Sequence, residues 1–337
     1  MKKKILLVGG AGFIGHNLAV FLKKKGFSIL IIDNLKVNNI EFVKKKIKDI
    51  KKRKLYLNFI NERLRLIKKN KIQLKKYDAK NKNKIQKIVE NYNPDVLIHL
   101  AAVSHDGKSN KNPELAFKNS FNTLFNSLES VKNLKKTHFI YLSSSMVFGT
   151  FKKKIVTETE ECNPIGIYGS LKFSGELLVK SYFNVFGLDY TIIRPSALYG
   201  ERCISNRVIQ IFLEKAFENK KITINGDGKE KLDFTYILDF CEGIYKAIIN
   251  KKKSKNQIFN ITYGNARSLI EVKNLIKKKF NSQEFINTKR DKLMALRGTL
   301  SIEKARKNLN YKPKYNLVKG FERYYRWYKK VYEKKQI

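Results

Sequence analysis

Apolar residues are arranged along the chain in two alternating patterns, short unbroken runs and longer stretches with helical spacing. Lys4-Ile5-Leu6-Leu7-Val8 reads as a buried strand. A helix pattern from His16 to Lys25 stops at Gly26, and Ser28 to Ile32 is a second strand ending at Asp33. The alternation resumes with strands at 72–77, 95–102, 139–142 and 190–193, separated by helix patterns at 85–91, 114–130 and 168–186. Strands and helices of these lengths in strict alternation predict an α/β fold with a doubly wound parallel sheet. Residues 36–71 interrupt the rhythm. They are lysine-rich with Ile60, Leu64 and Ile67 at helical intervals, and are expected to be an extra surface excursion without chemistry. Beyond Arg194 the pattern loosens into Tyr199-Gly200-Glu201-Arg202, a helix over 208–218 and the turn Asn225-Gly226-Asp227-Gly228. This predicts a main domain over 1–193 and a smaller substrate-binding part over 194–337. The latter would be a lid at the strand ends whose chain crosses back to the sheet.

The punctuation between the first two strands carries chemistry. Gly9-Gly10-Ala11-Gly12-Phe13-Ile14-Gly15 joins strand to helix, and Asp33 closes the next strand 18 residues beyond Gly15. Strand, glycine turn, helix, strand and acid in this order open a dinucleotide-binding Rossmann unit. Gly9, Gly12 and Gly15 allow the tight turn and close packing, and the backbone of Phe13 and Ile14 reaches the pyrophosphate. The Asp33 carboxylate would hold a ribose 2′-hydroxyl and repel a 2′-phosphate, which selects NAD as cofactor over NADP. Asn34 follows in the same turn. Asp78 and Ala79, after the third strand, are placed beside the adenine. Leu100, Ala101 and Ala102, after the fourth, present small side chains against which a cofactor can lie.

Composition narrows the class. The chain has 337 residues with 42% hydrophobic content, enough for a sizeable core, and no apolar run approaches a membrane span. Met1 to Val8 has the charge pattern of a signal start, but glycines interrupt it at once. Cys162, Cys203 and Cys241 are odd in number and scattered, which fits reduced cytoplasmic thiols with no metal site. A formal charge of +42 raises the alternative of a basic nucleic-acid-binding protein on a cofactor fold. The lysine runs at 2–4, 23–25, 44–46, 51–54, 152–154, 251–253 and 277–279 are spread over the whole length and form no single patch. The expected surface is therefore solvated and basic, without a specific nucleic-acid site.

The candidate catalytic centre lies mid-chain. Tyr168 and Lys172 are four apart at the start of a predicted helix, so they project from one face a turn apart. A phenol is a poor base near neutral pH unless a cation stabilises its phenolate, and Lys172 can be that cation. Ser143-Ser144-Ser145 upstream supplies a hydroxyl to hold a substrate oxygen.

Taken in order, these motifs resemble the extended short-chain dehydrogenases, specifically the NAD-dependent nucleotide-sugar epimerases and dehydratases. The likeness runs from Lys3 to about Tyr328. It also rests on His99-Leu100-Ala101-Ala102, Arg194-Pro195, Leu198-Tyr199-Gly200, Gly226-Asp227-Gly228, Asp233-Phe234 and Tyr311-Lys312-Pro313. The resemblance implies that Tyr168 exchanges the sugar hydroxyl proton, that Lys172 lowers the tyrosine pKa and holds the nicotinamide ribose, and that Ser144, three before Val147, bonds the same sugar oxygen. It adds Asn119 and Arg194 to the cofactor contacts. Ser104, His105, Ser145, Met146, Tyr199, Arg202, Lys231 and Arg290 become expected contacts of a nucleotide-sugar substrate. Ser145-Met146 stands where dehydratases carry acids, and Glu201-Arg202 where another type carries a histidine. The implied reaction is a 4-epimerase's, within surface glycan synthesis. A dehydratase drawing its acid from Asp106 or Glu201 is the alternative. Leu232 occupies the position of a family arginine that grips the diphosphate; Lys231 is the expected replacement, and Arg290 or Arg297 the expected second diphosphate ligand near the C-terminus. A homodimer through the helices beginning near Glu114 and Tyr168 is also implied.

Overall fold

The unbroken apolar runs Ile5 to Val8 and Ile29 to Ile32 leave no polar face, so these strands are stable only when covered on both sides. A computed structural model describes residues 2–103, 106–291 and 293–333. In it, Lys4–Val8 (β1), Ser28–Ile32 (β2), Gln73–Lys75 (β3), Val96–His99 (β4), His138–Leu142 (β5), Tyr190–Arg194 (β6) and Gln257–Asn260 (β7) form one seven-stranded parallel sheet. Its order is β7-β6-β5-β4-β1-β2-β3. Register is in step from strand to strand: Ile5 faces Ile29 on one side and Val96 on the other, and Ile140 faces Ile98 and Thr191.

Helices cover both faces: Phe13–Lys24 (α1), Ile50–Lys69 (α2), Lys82–Tyr92 (α3), Pro113–Val131 (α4) and Ile167–Phe186 (α5). Because every strand is parallel, Gly9, Asp33, Leu100 and Ser143 emerge along the same carboxyl edge, which is where such sheets bind ligands. Val208–Phe217 (α6) and the last described helix, Leu317–Glu333 (α7), belong to the part beyond Arg194. No helix among the described residues is long and apolar enough to cross a membrane.

One expectation needs correction. The excursion over 36–71 is only half surface: Leu55, Tyr56, Phe59, Ile60, Arg63 and Ile67 of α2 are buried. Phe59 meets Trp327 and Tyr328 of α7 at centroid distances of 4.8 and 5.7 Å. Aromatic residues on one stripe of a lysine-rich helix are enough to bring that face into the core. The apolar pattern does not announce β7. Gln257-Ile258-Phe259-Asn260 has only two apolar residues. It joins the sheet because β6 has an open edge and because the Glu158 carboxylate accepts the Asn260 N–H at 2.8 Å. The chain of the smaller part thus re-enters the large sheet.

Candidate active site

The turn after β1 is shaped by what lies behind it. Gly9 has φ +79°, and a Cβ there would stand 2.6 Å from the Ala101 backbone nitrogen. A Cβ on Gly15 would meet the Gly10 backbone at 2.5 Å. Both positions exclude side chains, so α1 sits close against β1 and β4. Gly12 is the N-cap of α1 and offers no side-chain acceptor, leaving first-turn N–H groups directed outward as an anion cradle.

Gly9, Gly12, Phe13, Ile14, Gly15, Asp33, Asn34, Asp78, Ala79, Leu100, Ala101, Ala102 and Asn119 border a single cleft at this turn. The Asp33 carboxylate accepts the N–H of Ala11 at 2.9 Å and of Leu35 at 2.7 Å. Burial raises its pKa, opposed by these same N–H groups. Asn34 donates to Asp78 Oδ2 at 3.1 Å, tying the ends of β2 and β3 together.

A second cleft adjoins the first and holds the candidate chemistry. Ser144 lies in extended backbone just after β5, and its Oγ accepts the Met146 N–H at 3.2 Å. The Ser143 hydroxyl is committed elsewhere, donating to Glu176 at 2.5 Å, while the Ser145 backbone N–H donates to Pro195 O at 2.9 Å. Tyr168 and Lys172 stand one turn apart on α5, with Nζ 6.0 Å from the Tyr168 ring centroid. Gly169 between them is needed because a Cβ would come within 2.7 Å of Met146 O. Lys172 is buried and donates to the Leu142 carbonyl at 2.5 Å. Burial lowers its pKa to about 7, and the Glu176 carboxylate partly offsets that. Ser144, Ser145, Met146, Tyr168, Lys172 and Tyr199 line this cleft together. His99, buried beneath, bonds Ser127 Oγ at 3.1 Å, and burial pushes its pKa to about 3, so it is a neutral structural imidazole.

Several expected contacts lie elsewhere. Arg194 does not border the cofactor cleft; its guanidinium is buried against Glu176, with contacts of 2.9 and 2.6 Å. Arg202 turns away from the substrate side. It donates to His16, Glu62 and Asn17, at 2.9, 3.1 and 3.0 Å, and clamps the loop onto α1 and α2. Lys231 and Arg290 line a separate groove beside Lys152 to Ile155, and Arg290 is held by Glu230 at 3.0 Å. Arg297 borders both that groove and the second cleft, and Leu232 is buried in the cleft wall. Ser104 and His105 lie outside the described residues. Arg207, which no motif marks, borders both clefts; the only sequence signal is its place just before the apolar run that begins α6.

Comparison with known proteins agrees with this geometry. Residues 5–262 match the NAD dependent epimerase/dehydratase family. The chain belongs to that family. A UDP-glucuronate 4-epimerase of Thermodesulfobacterium geofontis is 27% identical over 97% of this chain and 97% of its own. A dTDP-D-glucose 4,6-dehydratase of Dictyostelium discoideum is 30% identical over 77% of this chain and 58% of its own. The Bacillus cereus UDP-glucuronic acid 4-epimerase, crystallised with UDP-glucuronic acid and NAD, superposes with a TM-score of 0.86. It is 27% identical, covering 97% of this chain and 99% of that one. As a member of this NAD-dependent family the chain is an enzyme with a Rossmann sheet, and its cofactor is NAD. The glycine cradle, the α1 N-terminus and Asp33 fit the adenosine and pyrophosphate of that cofactor. Tyr168 and Lys172 line the cleft that adjoins it.

Proposed function

We propose that the chain is a 4-epimerase of a nucleotide-activated sugar. The observation that carries this reading is the composition of the second cleft: Ser144, Tyr168 and Lys172 converge there, and Met146 stands two after the serine. Elimination of water needs an acid and a base beside that hydroxyl, whereas inversion at one carbon needs only a proton acceptor and a redox cofactor.

Tyr168, as phenolate, takes the proton of the sugar hydroxyl while Ser144 holds the oxygen. Lys172 as cation stabilises the phenolate and holds the ribose of the cofactor. NAD, held in the adjoining cleft, would supply the hydride acceptor for that carbon and the donor to its opposite face. Tyr168 then gives the proton back. Product analysis tests this assignment. UDP-glucuronic acid or UDP-glucose is expected to yield its 4-epimer without net NADH, and a 4-keto-6-deoxy sugar would establish a dehydratase instead. The three free cysteines fit a cytoplasmic enzyme, and the product class fits supply of activated sugars for surface glycan.

We also infer a homodimer through α4 and α5. These helices expose Leu115, Phe117 and Phe125, and Leu177, Val185 and Phe186. Large apolar side chains on two adjacent helices are the signature of a covered face. Light scattering at micromolar protein is expected to give twice the chain mass; a monomer mass would exclude the dimer.

A further inference from the structure

The extra segment over 36–71 places one charge deep in the protein. Arg63 of α2 has no exposed surface, and burial lowers its pKa to about 10, so the guanidinium stays charged near neutral pH. Among the described residues its bonds go to main-chain carbonyls and none to a carboxylate. Nε donates to Arg202 O at 3.0 Å, Nη2 donates to the same carbonyl, and Nη1 donates to Asn38 O at 3.3 Å. A buried cation with no carboxylate bonded to it is costly, and an apolar side chain would fill the same space without desolvating a charge.

Both carbonyls belong to strained residues in loops that rim the cofactor cleft. Asn38 has φ +48° and Arg202 has φ +64°. A non-glycine residue keeps such a conformation only where its surroundings fix it, and such residues gather at ligand clamps. Asn38 borders the cofactor cleft from the loop after Asp33, and Ser205, three residues beyond Arg202, borders it from the loop before α6. Each loop is also tied to the glycine turn. Asn39 Nδ2 donates to Ala11 O at 3.3 Å. Arg202 Nε donates to His16 Nε2 at 2.9 Å, so His16 keeps its proton on Nδ1 and donates it to Gly12 O at 2.8 Å. Arg63 is the one side chain in this set that bonds both loops at once.

We propose that Arg63 is a positioning residue that retains the dinucleotide: by joining the 35–39 loop to the 199–207 loop, it holds the rim of the cofactor cleft in its binding form. The inference rests on NAD as the cofactor and not on which sugar reaction the second cleft performs. Arg63 does not itself border the cleft. Its removal leaves Gly9, Gly12 and Asp33 in place, but lets the two strained residues relax and the two loops part. Affinity then falls in proportion to the time the rim spends in its binding form, and the change falls mainly on the dissociation rate. A lysine supplies a point charge without the fixed fork that spans the two carbonyls, so it restores only part of the join.

Full-length Arg63→Met and Arg63→Lys proteins, compared with the parent, test the assignment. NAD⁺ affinity is measured by equilibrium titration and NADH release by fluorescence on displacement, at a temperature where each ligand-free protein is folded by thermal melting. The methionine variant is expected to bind NAD⁺ about tenfold or more weakly, chiefly through faster release, with the lysine variant between it and the parent. A merely structural Arg63 would lower the ligand-free melting temperature and leave affinity and release within about twofold of the parent; that result overturns the proposal. If neither variant folds, hydrogen exchange of the parent decides. NAD⁺ is expected to slow exchange in 35–39 and 199–207 together, and protection of one loop alone, or of neither, overturns the proposal. A parent protein that binds no NAD⁺ would overturn the cofactor assignment itself.

Discussion

Replacing Tyr168 with phenylalanine is expected to cut turnover by roughly 10²–10⁴-fold, the usual contribution of a positioned proton-transfer group. The phenyl ring keeps the packing of a half-buried position, and the substitution removes only the hydroxyl to which we assign the proton exchange. Lys172 is held independently by the Leu142 carbonyl and Tyr141 ring. The cofactor cleft is lined by other residues. NAD content and melting temperature should therefore match the parent, with the loss falling on kcat. The measurement is single-turnover and steady-state kinetics with the substrate that product analysis identifies. Full turnover by the phenylalanine variant would remove Tyr168 from the chemistry.

The second large effect concerns stability. Glu176 has no exposed surface and accepts from Arg194 Nε and Nη2 and from Ser143 Oγ. Arg194 is nearly as buried, with Phe148 4.7 Å from its guanidinium carbon and the Glu158 carbonyl 3.1 Å from Nη1. Glu176→Ala leaves that guanidinium in the interior without its counter-ion, which typically costs about 3–5 kcal/mol. At roughly 2 °C per kcal/mol for a chain of this size, the melting temperature should fall by about 6–10 °C. Glu176→Gln keeps an acceptor for one N–H and should lose less. Removing both charges with Glu176→Leu and Arg194→Met together should be milder than the single alanine, because no uncompensated charge remains. Thermal unfolding of the three proteins checks the order, and a Glu176→Ala melt equal to the parent's would refute it.

That pair also shows where the sequence was readable and where it was not. The glycine turn, Asp33 and the strands around them were legible because each demand is local: a backbone that excludes Cβ, a helix that begins at once, an acid at the next strand end. Tyr168 and Lys172 were legible because helical spacing alone puts them on one face. Arg194 was assigned to the cofactor, yet its partner Glu176 lies on α5 one turn beyond Lys172, and only the packing of α5 against β6 brings the two together. Arg202 and Arg290 misled in the same way. An arginine in a loop carries no local signal of which carboxylate it will meet, and Glu62 and Glu230 lie in segments whose placement depends on the whole fold. The buried stripe of α2 was half visible in Ile60 and Ile67. Lysines on the opposite face masked it, and the aromatic partners on α7 lie at the far end of the chain. Arg207 was invisible because a single arginine before an apolar helix belongs to no motif.

The edge strand β7 has a consequence for synthesis. Residues 257–260 complete a sheet whose other six strands are all made by residue 194. While the ribosome works through the intervening residues, β6 presents an unpaired row of N–H and C=O groups, an open template for a neighbouring nascent chain. The last ladder of this sheet can close only when Phe259 and Asn260 have emerged. For this protein the vulnerable interval of folding is therefore set by translation rate, and it lies in the second half of the message.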